Sequence, residues 1–268
     1  MSFSSNLHTH TQFDDGKATA EEMVQEAIRR GFVSLGFSGH SPLYFDSGYA
    51  IEEEQSYIEE IKRLQQVYGD QIDIVLGIEL DYDTPYRLDE YQYAIGSVHQ
   101  MNIQGKIFSV DNTQEELVSC IRDVFHGDPL AYAEHYYDMV VECALRPEVD
   151  VVGHFDLLLK CAPDLFVGEK YQTIAANAMK RILDSGKDLI FEYNTGGMYR
   201  VGLKEPYPAT FLLEELKKHR AKLTVTTDAH DIPSLAYKSE ECAKFLRDFG
   251  FDTLWRIRNF GFEPVSIS

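Results

Sequence analysis

Six of the nine histidines in this chain stand at or just past the end of a short apolar run: His8, His10, His40, His99, His154 and His230. Two carboxylates hold equivalent places, Glu79 in Gly77-Ile78-Glu79-Leu80-Asp81 and Asp228 in Thr227-Asp228-Ala229-His230. His8 and His10 are two residues apart, so in an extended chain both imidazoles point to one side. Two parallel imidazoles can chelate one divalent ion. Asp228 and His230 repeat the spacing with a carboxylate and an imidazole. Glu79 ends an apolar strand, where a charge is costly to bury unless it is paired or metal-bound. Gly39-His40-Ser41-Pro42, Gly96-Ser97-Val98-His99 and Gly153-His154-Phe155-Asp156 share one pattern: apolar strand, small residue, histidine. One such histidine is usually a hydrogen-bonded core residue. Its recurrence in one chain points instead to a metal centre.

Eight such ligands exceed what one tetrahedral zinc needs, so two to three divalent ions are expected. Asp15, in Asp14-Asp15-Gly16 after the first strand, is a ninth candidate. Nitrogen and oxygen donors without sulfur suit zinc, manganese or iron. Multi-ion centres of this kind suit hydrolysis of phosphate esters. Three histidines stand apart. His219 lies in a basic helix end, His126 precedes a Gly-Asp-Pro turn, and His135 sits mid-helix beside Tyr136 and Tyr137.

These residues need elements that bring them together. Strand-like runs end at Asn6-Leu7-His8 and span Val33 to Phe37, Ile72 to Leu80, Ala94 to Val98, Val149 to Val152, Leu189 to Tyr193 and Leu223 to Thr227. Thr19 and Glu22 form a capping box that starts a helix, and Gly31 stops it. Further helices are expected over Glu52 to Tyr68, Thr113 to Phe125 (again with a capping box, Thr113 and Glu116), Leu130 to Leu145, Lys170 to Leu183, Thr210 to Lys218 and Pro233 to Phe249. Thr253 to Ile257 is expected to add a last strand. Repeated β-α units without a linker or internal repeat predict a single domain over 1–268, an α/β barrel of seven or eight parallel strands. A doubly wound open sheet is the second choice. In a parallel barrel, residues beyond the C-terminal strand ends converge on one face.

The 268 residues carry a formal net charge of −19, with 44% hydrophobic residues. No basic face is evident to neutralise a long polyanion, so nucleic acid is not an expected partner. No apolar run is long enough to span a bilayer, and the N-terminus lacks a signal-peptide pattern; a cytoplasmic protein with no membrane partner is expected. Cys120, Cys143, Cys161 and Cys242 form no CxxC pair and read as reduced core thiols. Oligomeric state is not legible.

The chain resembles the PHP superfamily (named for polymerase and histidinol phosphatase), and within it the monofunctional histidinol-phosphate phosphatases. The resemblance rests on HTHTQFDDG at 8–16, FSGHSPL at 37–43, GIELDY at 77–82, GSVH at 96–99, EHYY at 134–137, GHFDLLLK at 153–160, FEYNTGG at 191–197 and TTDAH at 226–230. It implies a distorted (βα)7, TIM-like barrel with a trinuclear centre at the C-terminal ends of the strands. His8, His10, Glu79 and Asp228 would hold one ion. Glu79 would bridge to a second, held also by His99 and His154. His40, His230 and Asp15 would hold the third, Asp15 replacing a histidine that many relatives carry in the first loop. The implied reaction is hydrolysis of L-histidinol phosphate to L-histidinol and phosphate in histidine biosynthesis, by a metal-bridged hydroxide, with Asp228, His230 or His99 moving the proton. Lys160, Arg200 and Ser41 would grip the phosphate; Glu192 and Asn194 would meet the amine or imidazole of the substrate.

Overall fold

The computed structural model describes residues 4–43, 48–84 and 89–267. Among these, seven strands form one parallel sheet: β1 (Ser5–Asn6), β2 (Ser34–Phe37), β3 (Asp73–Asp81), β4 (Tyr93–Ser97), β7 (Val151–Val152), β8 (Ile190–Asn194) and β9 (Lys222–Thr226). All neighbouring pairs run parallel. The sheet curls until its two edges meet through a parallel bridge, Thr9 to Ala229, where His10 N donates to Ala229 O at 2.8 Å. The result is a (βα)7 barrel closed mainly at the C-terminal ends of its strands, not an open sheet.

The helices follow their local signals. In α1 (Ala20–Arg29) the Thr19–Glu22 capping box is complete. Before α3 (Gln114–Val124) only half of the expected box forms: Thr113 Oγ1 accepts from Glu116 N, but the Glu116 carboxylate turns away to accept from Ser109 N at 2.9 Å. α2 (Glu54–Tyr68), α4 (Pro129–Ala144), α5 (Glu169–Asp184), α6 (Gly196–Arg200) and α7 (Leu213–Lys218) complete the set up to β9. The helix expected over 233–249 is broken: a 3-10 turn (Pro233–Ala236) and α8 (Ser239–Phe249) flank Lys238, whose φ of 54° is left-handed.

Two antiparallel hairpins lie outside the barrel sheet. β5 (Gln100–Ile103) and β6 (Lys106–Ser109) follow β4 and rise beside the strand ends. β10 (Thr253–Arg258) and β11 (Gly261–Ser266) form the tail. The expected last strand therefore does not join the barrel. It pairs with its own successor and packs across β9, β1, β2 and β3.

Leu7, Val75, Tyr93, Ile95, Val151, Ile190 and Ile257 form one apolar cluster where these strands meet the tail hairpin. Tyr93 takes up the space that two glycines leave. A Cβ at Gly77 would stand 2.1 Å from its ring, and one at Gly36 2.3 Å from its hydroxyl, which donates to Leu7 O. No described helix is long and apolar enough to cross a membrane.

Candidate metal centre

Eight of the expected ligands lie in a strand or within four residues of its end, Asp15 lies in the loop after β1, and the barrel brings all nine to one face. Glu79 is the hub. Its Oε1 lies 2.8 Å from His154 Nε2 and 3.3 Å from His99 Nε2; its Oε2 lies 2.9 Å from His40 Nδ1, 3.3 Å from His8 Nε2 and 3.6 Å from His10 Nε2. Asp228 Oδ1 stands 3.1 Å from His10 Nε2 and 3.6 Å from His8 Nε2. Asp15 Oδ1 lies 2.9 Å from His230 Nε2 and 3.6 Å from His40 Nε2.

These donor sets fit divalent ions. His8 Nε2, His10 Nε2 and Glu79 Oε2 are buried yet have no aligned hydrogen-bond partner. Such orphaned buried atoms are costly unless something else satisfies them. Four sets of ligand atoms lie within 4.8 Å of one another: His10, Asp15, His40 and His230; His8, His154 and Asp228; His8, His10 and Glu79; and His40, Glu79 and His99. The sets overlap at His8, His10, His40 and Glu79, and the division differs in detail from the one the resemblance implies. His10 also reaches the Asp15 group, and His8 joins His154.

A second ring of carboxylates fixes the imidazoles. His8 Nδ1 is 2.7 Å from Glu192 Oε1, His10 Nδ1 is 2.6 Å from Asp14 Oδ2, and His99 Nδ1 is 3.0 Å from Asp81 Oδ2. An Nδ1–H donated to a carboxylate leaves Nε2 with its lone pair facing the centre and raises its basicity. Ser97 Oγ donates to Glu79 Oε1 at 2.6 Å, and Gly153 makes room for it: a Cβ there would stand 2.3 Å from that hydroxyl.

The electrostatics follow from crowding like with unlike. Burial alone would lower the pKa of His8, yet Glu192, Glu79 and Asp228 hold it well above the usual histidine range. Burial is likewise overcome at His10, pushed up to about 10 by Asp14 and Asp228. Glu79 and Asp228 are held well below the carboxylate range despite burial, Glu79 by His8, His99 and His40, Asp228 by His8 and His230. His230 moves the other way, lowered by burial and by His10. Without ions, imidazolium charges balance the carboxylates; bound cations would displace those protons.

Asp228 follows the end of β9 with φ 49°, a left-handed backbone for a residue that has a Cβ. The strand ends at Thr226, so the alternation expected for Asp228 and His230 is interrupted at Asp228 before the chain resumes pairing at Ala229. Both side chains still reach the centre, with His230 Nδ1 2.9 Å from Asp228 O. Backbone strain of this kind clusters at functional sites.

The other candidates divide. Arg200 ends α6 with Nη1 3.1 Å from His230 Nε2 and 3.9 Å from Asp228 Oδ2. Lys160 Nζ lies 2.6 Å from Asp111 Oδ2. Both cations line a cavity of about 650 Å³ over the centre, with Asp15, His40, His99, His154 and Asp228 in its wall. Ser41, Glu192 and Asn194 lie off the cavity wall. Ser41 Oγ is buried and accepts from Asp81 N at 3.2 Å. Glu192 sits a layer below the mouth and spends its oxygens on His8, on His154 N at 3.0 Å and on Asn194 Nδ2 at 3.1 Å. The Asn194 carbonyl oxygen accepts from Gly196 N at 2.7 Å. None of the three borders the cavity. In this structure their polar atoms hold backbone amides and an imidazole. Asp14, Asp81 and Asp111 were not singled out from sequence; Asp14 follows His10 by four residues and Asp81 follows Glu79 by two, both inside the quoted motifs.

The PHP domain model matches residues 6–196. The chain belongs to the PHP family. Among PHP-family relatives, a protein of Schizosaccharomyces pombe named “Probable histidinol-phosphatase” is 30% identical, over 96% of this chain and 90% of its own length. The histidinol-phosphatase of Bacillus subtilis is 26% identical over 87% of this chain and 96% of its length. A crystal structure of histidinol phosphate phosphatase from Lactococcus lactis, in complex with zinc, L-histidinol and phosphate, superposes with a TM-score of 0.71. It is 20% identical and covers 97% of this chain and 98% of the other. The PHP-family fold accounts for the barrel described above, and the conjunction of ligands lies at its mouth.

Proposed function

We propose that this chain hydrolyses L-histidinol phosphate to L-histidinol and phosphate, as a single cytoplasmic domain that holds two to three divalent ions of zinc, manganese or iron. The supporting observation is the orphaned set of donors around Glu79, with Arg200 and Lys160 in the same cavity. The names carried by its PHP-family relatives supply the substrate. His8, His10, Asp15, His40, Glu79, His99, His154, Asp228 and His230 would hold the ions. When bound, the ions polarise phosphoryl oxygens and provide a strong nucleophile at neutral pH.

The chain's own residues do the rest. Arg200 and Lys160 hold the phosphate by charge-assisted hydrogen bonds. Glu192, Asp14 and Asp81 hold the imidazoles at fixed tautomers. The phosphorus–oxygen bond to the alkoxide breaks as one forms to the oxygen of water. Asp228, His230 or His99 passes a proton to the departing alkoxide. The net charge of −19 and the absence of an evident basic face leave nucleic acid outside the reading.

Phosphate release from a panel of esters, with manganese or zinc added, tests the proposal. Histidinol phosphate should be preferred over nucleotides and sugar phosphates. Equal or better turnover of a nucleotide would transfer the assignment to another phosphoesterase activity of the family.

A further inference from the structure

The cavity wall holds two carboxylates that none of the metal-ligand sets uses: Glu116, whose oxygens accept from Ser109 N and Asn112 Nδ2, and Asp111, which faces a cation. Asp111 follows β6, lines the cavity and pairs with Lys160 at 2.6 Å. Ser109 Oγ donates to its other oxygen at 3.4 Å. Burial opposes its charge, but Lys160, His99 and His154 together keep it ionised. A phosphate binds badly next to a bare carboxylate, so Asp111 needs a cation whenever the cavity is filled.

Lys160 is that cation in the free protein, and it is also one of the two cations that line the cavity. Once Lys160 turns to a phosphate dianion, Asp111 is left half-buried and uncompensated beside an anion. Leaving a partly desolvated carboxylate without its cation is unfavourable. A ligand that brings its own cation close to the phosphate removes the conflict. We infer that substrate opens the Asp111–Lys160 pair, Lys160 going to the phosphate and Asp111 receiving an ammonium group of the same molecule, so that Asp111 selects amino-alcohol phosphates over plain phosphate esters.

This rests on the proposed reaction, and histidinol phosphate has the required form. Its ammonium stands on the carbon next to the ester CH2, a few bonds from phosphorus. An anchor for it must therefore lie beside the metal ligands. Asp111 meets that condition, sharing the cavity wall with His99 and His154.

The test compares L-histidinol phosphate with its deamino analogue, imidazolylpropyl phosphate, on the wild-type and Asp111→Asn enzymes. Asn keeps the size and one acceptor for Lys160 but not the charge. The wild type should prefer the aminated ester, and the variant should lose at least about tenfold of that preference, mostly in KM, as expected for a lost charge-assisted hydrogen bond. Lys160→Gln should weaken both esters alike. Unfolding midpoint and metal content, measured on each variant, keep a folding defect separate. An equal loss on both esters would make Asp111 only a tether for Lys160, and no loss would make it a bystander; either overturns the inference while the proposed reaction stands. A wild type without preference for the aminated ester would overturn the inference alone, whereas failure to turn over either ester would overturn the proposed reaction with it.

Discussion

The two ends of the barrel are built on opposite terms. At the floor, Leu7, Val75, Ile95, Val151 and Ile190 pack with Tyr93 against Ile257 of the tail hairpin. Polar groups there are matched: the Tyr93 hydroxyl has its carbonyl, and Lys222 Nζ stands 4.1 Å over the Trp255 ring. At the mouth, imidazoles and carboxylates crowd together, donor atoms face one another without hydrogen bonds, and Asp228 adopts a left-handed backbone. The floor adds apolar burial to that of the larger clusters under the helices, whereas the mouth holds orphaned polar atoms and a left-handed backbone, the former of which bound cations would satisfy. Changes at the mouth should therefore strike activity and metal content, and changes at the floor should strike stability alone.

Glu79→Gln should break the mouth most severely. One residue contacts five imidazoles, so its loss should cut bound metal measured by elemental analysis and lower turnover by at least about 10³-fold. Retention of full metal content would remove Glu79 from its place as hub. Asp228→Asn comes next, with turnover down by about 100-fold and folding intact. Asp231→Asn is its control. Asp231 accepts from Ser234 N at 2.9 Å and from the Tyr199 hydroxyl at 3.2 Å, outside the centre. Asn can keep both contacts, so turnover should change little; near-normal turnover in Asp228→Asn would end its assignment to proton transfer.

The carboxylates behind the imidazoles should follow. Asp14→Asn, Asp81→Asn and Glu192→Gln should each weaken metal affinity by about 10–100-fold, read by competition with a chelator. Affinity unchanged in all three would show that the ligands hold their orientation unaided. At the floor, Ile257→Ala should cost about 2–5 kcal/mol of unfolding free energy. Its folded fraction should keep wild-type metal content and turnover. A matching loss of metal would mean the two ends are coupled after all.

The same contrast explains what the sequence disclosed. Eight of the candidate ligands were visible because each interrupts an apolar strand or closely follows its end, where chemistry accounts for such groups best; Asp15 was reached only through the loop after the first strand. The α1 capping box was visible because it is local. The role of the carboxylates behind the imidazoles was not: Glu192 was expected at the substrate, and it meets His8 across the barrel from 184 residues away. The β5–β6 hairpin was missed because its strands are short and its turn is Gln104-Gly105, with φ of 55° and 82°, without the usual Asn-Gly signal. The tail strand read correctly as a strand, but nothing local says which neighbour it takes.

One buried carboxylate beside the metal ligands has no cation. Asp156 follows His154 by two residues, and its Oδ2 accepts from Ala209 N at 2.8 Å while its Oδ1 is buried without a partner. Burial pushes its pKa up to about 7, opposite to Glu79 and Asp228 among their imidazoles. The folded state thus holds a proton that the unfolded state releases near pH 4, so stability from this group falls as pH rises from about 4 to about 7. Above that window both states are ionised and the whole penalty applies, on the order of 2–4 kcal/mol for a shift of this size. Asp156→Asn removes the titration. Its stability relative to wild type, measured by denaturant unfolding of metal-free protein, should rise through that window and level off above it. Any fixed cost of the amide cancels in the comparison across pH. A difference that stays flat from pH 4 to pH 8 would show that Asp156 ionises as freely in the fold as in the open chain, and the mouth would then tolerate a buried carboxylate without a cation to balance it.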